Sequence, residues 1–180
     1  MLDFQLDQFS FWAAKAQLPS WAGFQTRDGP YGSINSDSPS DGFVTIVLGR
    51  DKSPLTDQER ASAQWLLDHE AEVASAVLQG LLAEYPRLQG LYGYEGAERD
   101  EYMPDVSSAK DFRQLIGLHN VHVLSLQKEG VPYIGYEFGC MWDDEHGLGV
   151  LMHGARVVEV GDASTAFTLW IAERDAGVGT

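Results

Sequence analysis

Cysteine is almost absent from this 180-residue chain: Cys140 stands alone, so no internal disulfide can form. A disulfide-stapled secreted scaffold is excluded, and a reducing compartment fits. Basic residues are scarce as well. Twelve Lys and Arg face 27 Asp and Glu, a formal charge of −15. Such an acidic surface repels phosphate backbones and anionic headgroups and attracts basic partners. Neither nucleic acid nor a membrane surface is expected as a partner. No apolar run approaches the roughly 20 residues of a membrane span. The opening MLDFQLDQF has two Asp and no basic segment, unlike a secretory signal. A cytoplasmic location is the expectation. Catalytic signatures are missing too. There is no G-x-G-x-x-G after a strand, no G-x-S-x-G elbow and no H-E-x-x-H helix. No cofactor and no resident metal are expected.

What is present describes a globular protein. Apolar residues make up 44% of the chain and charged residues 22%, and the length suffices for one domain with a substantial core. The first stretch is aromatic. Phe9 and Phe11 alternate with polar neighbours, as in a half-buried strand. Arg27–Gly42 (RDGPYGSINSDSPSDG) is dense in turn formers and reads as turns around a short strand at Tyr31–Ile34. Phe43–Leu48 (FVTIVL) reads as a buried strand.

Thr56 and Glu59 then form a capping box. Ala63, Leu66, Leu67, Val73, Ala74, Val77, Leu78, Leu81 and Leu82 recur at spacings of three and four. This predicts one long amphipathic helix ending before Pro86. Asp68, His69 and Glu70 lie on it as consecutive residues, which face different directions and so form no ligand cluster; their charges are expected to be solvated. From Leu88 to Ser108 the periodicity vanishes, and the segment reads as an acidic loop. Ser108 caps a short helix through Phe112 and Leu115, with Asp111 three residues on. After it the period becomes two. Strands over Val121–Leu126, Tyr133–Phe138, Leu148–Leu151 and Val157–Val160 are separated by turns at roughly ten-residue spacing, the rhythm of an antiparallel meander. Asp162 or Ser164 caps a last helix containing Phe167, Leu169, Trp170 and Ile171. The tail from Arg174 to Thr180 is expected to fray. The predicted class is α+β: one domain over residues 1–180, a mainly antiparallel sheet, and a long helix and a C-terminal helix packed on it.

The chemistry concentrates in WDDEHGLGVLMHG, Trp142–Gly154. Asp and Gly suit a hairpin turn. Asp143, Glu145, His146 and His153 are also the residue types of a metal-dependent hydrolase, whose metal needs three converging ligands and an open position. However, His146 and His153 are seven apart and belong at opposite ends of a strand. His119 and His122, three apart, belong on opposite strand faces. Cys140 reads as a small buried thiol. A different cluster lies in GYEGAERDEYMPD: Glu95, Glu98, Asp100, Glu101 and Asp105, interleaved with Tyr94 and Tyr102. Carboxylates suit a basic partner, and tyrosines supply contact area at low entropy cost. The candidate partner-binding residues are therefore Glu95, Glu98, Asp100, Glu101, Tyr102, Asp105, Asp143, Asp144 and Glu145.

Residues Tyr133–Phe167 (YIGYEFGCMWDDEHGLGVLMHGARVVEVGDASTAF) are similar to a bacterial family of unknown function with an EFGCxWDxEHGLGVxxH signature. PSWAGFQTRDGPYGS and LLDHEAEV resemble the same family, so the likeness covers most of the chain. It implies a stand-alone, acidic, single-domain protein of the kind that serves as the immunity partner of a bacterial toxin. Such a protein occludes its cognate toxin, or another basic protein surface, stoichiometrically. A metal-dependent hydrolase and a non-enzymatic adaptor are the alternatives.

Overall fold

The computed structural model describes residues 2–48 and 52–178. Its architecture is α+β. A seven-stranded sheet carries β1 (Gln5–Leu6), β2 (Trp12–Gln17), β5 (Phe43–Leu48), β6 (Ile116–Lys128), β7 (Val131–Cys140), β8 (Leu148–His153) and β9 (Arg156–Gly161), in that spatial order. β3 (Gln25–Asp28) and β4 (Ile34–Pro39) form a separate hairpin. Every strand pair is antiparallel except β5 with β6. The helices between those two strands supply the crossover that a parallel pair requires.

Alternation on the strands separates two faces. Val44, Ile46 and Leu48, Val121 and Val123, Ile134, Tyr136 and Phe138, and Val150 and Met152 belong to the main core. They meet α1 (Asp57–Asp68) and α2 (Glu70–Tyr92), whose Ala63, Leu66, Val73, Val77, Leu81, Tyr85 and Leu88 are buried in the same cluster. Each of the larger side chains contributes roughly 1.5–3 kcal/mol by leaving water. Leu124, Tyr133 and Leu151 lie on the opposite face. They pack with Ile171 and Ala172 of α4 (Leu169–Ala176) in a smaller cluster.

The meander of four strands has the expected order, and the Thr56–Glu59 capping box is present. Several expectations are corrected. Phe9 and Phe11 are exposed at a turn closed by Asp7, and the strand begins at Trp12. Residues Pro30–Gly32 form a 3-10 turn, with β3 and β4 on either side of it. The long helix is two helices broken at His69, whose Nδ1 lies 2.9 Å from the Trp65 carbonyl oxygen. Glu70 is not a solvated charge: it accepts hydrogen bonds from the Ser20 N–H and hydroxyl, both at 3.0 Å, and pins the 3-10 turn Pro19–Trp21 to α2.

The second helix runs through Pro86 because that ring is exposed while Tyr85 and Leu88 on either side are buried. The loss of one backbone donor on the solvent side is tolerated when flanking residues anchor the helix. The segment read as an acidic loop contains α3 (Gly96–Tyr102). Asp162 caps a 3-10 turn, Ala163–Ala166, and α4 starts only after Thr168.

Arg174, Asp175 and Ala176 belong to α4, so the tail is ordered further than expected; residues 179 and 180 lie outside the described residues. The reason is Asp175. Its carboxylate accepts two hydrogen bonds from Arg156 (3.0 and 2.6 Å) and one from the Tyr133 hydroxyl (2.7 Å). The Arg156 guanidinium, more than the Tyr133 hydroxyl, holds that carboxyl down at about 2. Asp175→Asn should therefore loosen the last turn of α4 at a cost of about 1 kcal/mol, since the pair is only half-buried. Faster amide exchange in residues 172–176, with the main sheet unchanged, is the expected readout; unchanged exchange would mean that apolar packing alone holds the helix.

Candidate functional site

The WDDEHG segment is a hairpin turn between β7 and β8, and its side chains build it. The Asp143 carboxylate accepts from the His146 backbone N–H at 2.9 Å and lies 3.0 Å from His146 Nδ1. The Gly147 N–H closes the turn on the Asp143 carbonyl at 3.0 Å. Gly147 has φ +64, which glycine adopts without steric cost. Cys140, buried, donates weakly to the same carbonyl, and burial pushes its thiol up to about 12. An inert structural thiol matches the expectation for this residue.

The turn does not stand alone. The Tyr92 hydroxyl, at the end of α2, donates to the other Asp143 oxygen at 2.8 Å. The Tyr94 hydroxyl donates to the Trp142 carbonyl at 2.9 Å. The rings of Tyr92 and Tyr94 are parallel, with centroids 6.4 Å apart, and Tyr102 of α3 sits 5.5 Å from Tyr94. Underneath, Trp142 packs edge-on against Tyr85, 5.7 Å away. Burial, then the hydrogen bond to Asp143, raises the Tyr92 hydroxyl well above the ordinary phenol range. Tyr94 is raised by partial burial, then by the negative field of Asp143, Glu98 and Asp144. Carboxylates from two distant segments thus act on one tyrosine.

The structure thus brings together residues that are some forty apart in the chain. Tyr92 and Tyr94 reach Asp143 and Trp142 of the turn, and Tyr102 of α3 lies against Tyr94, which joins the acidic α3 segment to the turn. Glu95, Asp100 and Glu101 are exposed on the same short helix or at its cap, and Glu145 is exposed on the turn. Asp105 is anchored by Arg99 (2.5 Å) and Gln89 (3.2 Å), and the hydrogen bonds from Gln89 and Arg99 lower its carboxyl. Below this acidic and aromatic face lies a cavity of about 250 Å³ lined by Leu91, Tyr92, Asp143, His146 and Asp162, among others.

His153 is elsewhere. It ends β8 far from His146, with Nε2 3.1 Å from the Lys128 carbonyl oxygen and its ring 4.7 Å from Tyr133. The four residue types that suggested a hydrolase are split between the two ends of the strand. Among the described residues, no three His, Cys, Asp or Glu are grouped so that they could hold a metal ion, and no helix is long and apolar enough to cross a membrane.

One polar cluster escaped the sequence reading. Glu137 of β7 is almost fully buried, with His122 Nε2 at 2.6 Å and the Asn120 amide at 2.9 Å, both on the same carboxylate oxygen. Burial pushes its carboxyl up, but His122, Asn120 and His119 outweigh that and hold it below the usual range. A bulge after Leu118 adds one residue to β6, so the strict alternation that separates His119 from His122 does not apply there. A lone acid inside the apolar run YIGYEFGC was the available signal.

The chain's sequence from Leu18 to Phe167 matches the model of a domain family described as a domain of unknown function, DUF6985. The chain belongs to that family. No curated protein and no solved structure matches it. The match begins after β2 and stops before α4, so the family unit comprises the hairpin β3–β4, helices α1 to α3 and the sheet from β5 to β9. It contains all of the acidic and aromatic face and the Glu137 cluster.

Proposed function

We propose that this DUF6985 protein is an acidic protein-binding module of the immunity type, which neutralises a bacterial toxin by stoichiometric occlusion of a positively charged cleft. The observation that carries the reading is the joining of two acidic segments, Glu95–Asp105 and Asp143–Glu145, through the stacked pair Tyr92 and Tyr94 and the tilted ring of Tyr102 beside them. Rigid aromatic rings give a partner contact area with little entropy to lose, and flanking carboxylates select basic surfaces. The chain's charge of −15 steers such a partner into encounter at a rate that falls as salt rises.

Two experiments test it. The first is co-expression with the adjacent open reading frame of its genome. The neighbour should arrest growth alone, and this chain should restore growth and co-purify in a one-to-one complex. A harmless neighbour that never co-purifies removes the immunity reading. The second is charge reversal of Glu98, Asp100, Glu101, Asp144 and Glu145 to Lys, leaving Asp143 in place because the turn depends on it. Association with the toxin should slow by about a hundredfold at low salt, with an unchanged melting curve. An unchanged association rate would show that the partner docks elsewhere.

A further inference from the structure

The sheet ends in β9, and no strand pairs with its outer side among the described residues. At the other end the edge is the two-residue β1, which covers Trp12 and Ala13 of β2. β9 reads RVVEVG, with three half-buried valines and neither proline nor lysine to blunt it. A bulge at Val158 disturbs its first half, and Glu159–Gly161 keep a regular register with Leu151–Gly149. The Val160 carbonyl accepts a long hydrogen bond, 3.4 Å, from Arg87 Nη2 of α2. Since Arg87 reaches that oxygen from outside the sheet, the carbonyl points away from β8. By the two-residue period, the Val160 N–H points the same way.

A groove runs beside this edge. One cavity of about 410 Å³ lies between α2 and β9, lined by Gly80, Ala83, Glu84, Arg87 and residues 157–160. The 250 Å³ cavity under the acidic and aromatic face shares Arg87 and Val160 with it. The edge and that face are therefore one continuous surface. Its apolar floor is valine; on its charged flanks Arg87 pairs with Glu84 and Glu159 holds Arg174, and Asp162 and Asp143 add two further carboxylates. Two copies of this chain pairing through β9 would each carry a charge of −15 into the contact. A basic segment meets no such repulsion.

We propose that β9 accepts an extended basic segment of the partner as an added strand, alternate residues entering the groove between α2 and β9. This rests on the reading of the adjoining acidic face as a partner surface. Strand addition supplies affinity through the backbone, and the groove supplies the side-chain preference: apolar residues inward, Lys or Arg toward the carboxylates.

A synthetic probe tests this without the toxin. A six-residue peptide of alternating Lys and Val is titrated into the isotope-labelled protein and followed by amide NMR and hydrogen exchange. The amides of Glu159, Val160 and Gly161 and the Arg87 side chain should shift, and the Val160 N–H should gain protection. The same peptide methylated on every backbone nitrogen, equal in charge but unable to donate the strand hydrogen bonds, should leave them unmoved. Val160→Pro removes the outward donor and should weaken binding by about tenfold. Glu159→Lys, which leaves the backbone intact, should weaken it through charge and covers the case in which the proline variant unfolds. If the Lys–Val peptide moves only the tyrosine and carboxylate signals around Tyr94, or if the N-methylated peptide binds equally, strand addition is wrong while the acidic-face reading stands. If the peptide moves β9 but charge reversal of the acidic face leaves toxin association unchanged, the converse holds.

Discussion

Replacing Gly135 by alanine should destabilise the protein by about 3 kcal/mol or more, the upper range for forced overpacking. An added Cβ would overlap the Ala166 carbonyl oxygen, and it would also meet Ala166 Cα. Rigid backbone stands there, not the end of a flexible side chain that could swing aside. Gly139 is closed in the same way by the Gly32 carbonyl and by Arg27, and Gly149 by the Asp162 carbonyl. All three glycines lie on the sheet face opposite α1 and α2, and each seats a connecting segment directly on the strands. The buried Arg27 guanidinium fills the space left over, donating to the Gly32 carbonyl at 2.8 Å and to Gln25 at 2.9 Å. A stability loss of that size lowers the melting temperature by about 6–12 °C in a chain of this length. A Gly135→Ala protein melting within about 2 °C of the parent would mean that residues 163–166 do not rest on β7.

That glycine pattern explains much of what was legible in the sequence and what was not. The signature residues 137–153 looked like chemistry because they combine acids, histidines and glycines. The glycines serve close backbone approach, and Asp143 and His146 serve a turn. The meander was legible because its strands alternate and its turns are marked by Gly and Asp. The long helix was legible because its apolar positions recur at three and four. The break at His69 was not, because Trp65 stacks on that ring, 4.1 Å away, and nothing in the periodicity records it. Helix α3 was hidden because all seven of its residues are exposed or half-buried, so no apolar stripe exists to be read. For the candidate site, each acidic segment was visible alone. Their meeting was not, because it depends on two tyrosine hydroxyls reaching a turn about fifty residues away.

The acidic face and the hidden acid belong to different kinds of energetics. The exposed carboxylates around Tyr94 are screened, individually worth little to stability, and available to a partner. Glu137 is neither exposed nor screened. It sits on the face that the glycine-seated segments cover, and Phe167 closes over His122 at 5.0 Å. Charge reversal on the first group should alter association, whereas changes at the second should alter folding. The two sets of variants therefore separate recognition from stability in one protein.

His122→Leu should cost about 3–5 kcal/mol at neutral pH, because it strands the Glu137 carboxylate in a desolvated site. Glu137→Leu should cost a comparable amount by leaving Asn120 and His122 without their acceptor. The double variant, with both groups apolar, should recover most of that loss, since a buried pair is often no more stable than well-packed hydrophobic residues. Two full, additive losses in chemical denaturation would mean that the pair is not coupled. The pH dependence carries the same information with a definite sign. The Glu137 carboxyl is held below its ordinary value, so the folded state binds its proton less readily than the unfolded chain. Its contribution is complete above the unfolded carboxylate value of about 4.3 and fades as pH falls through the lower folded value. Stability of the parent should drop over that acid range by more than that of Glu137→Leu, which has no carboxyl to titrate. Equal acid slopes for the two proteins would show that Glu137 is ordinary, and that the short contact with His122 does not govern its charge.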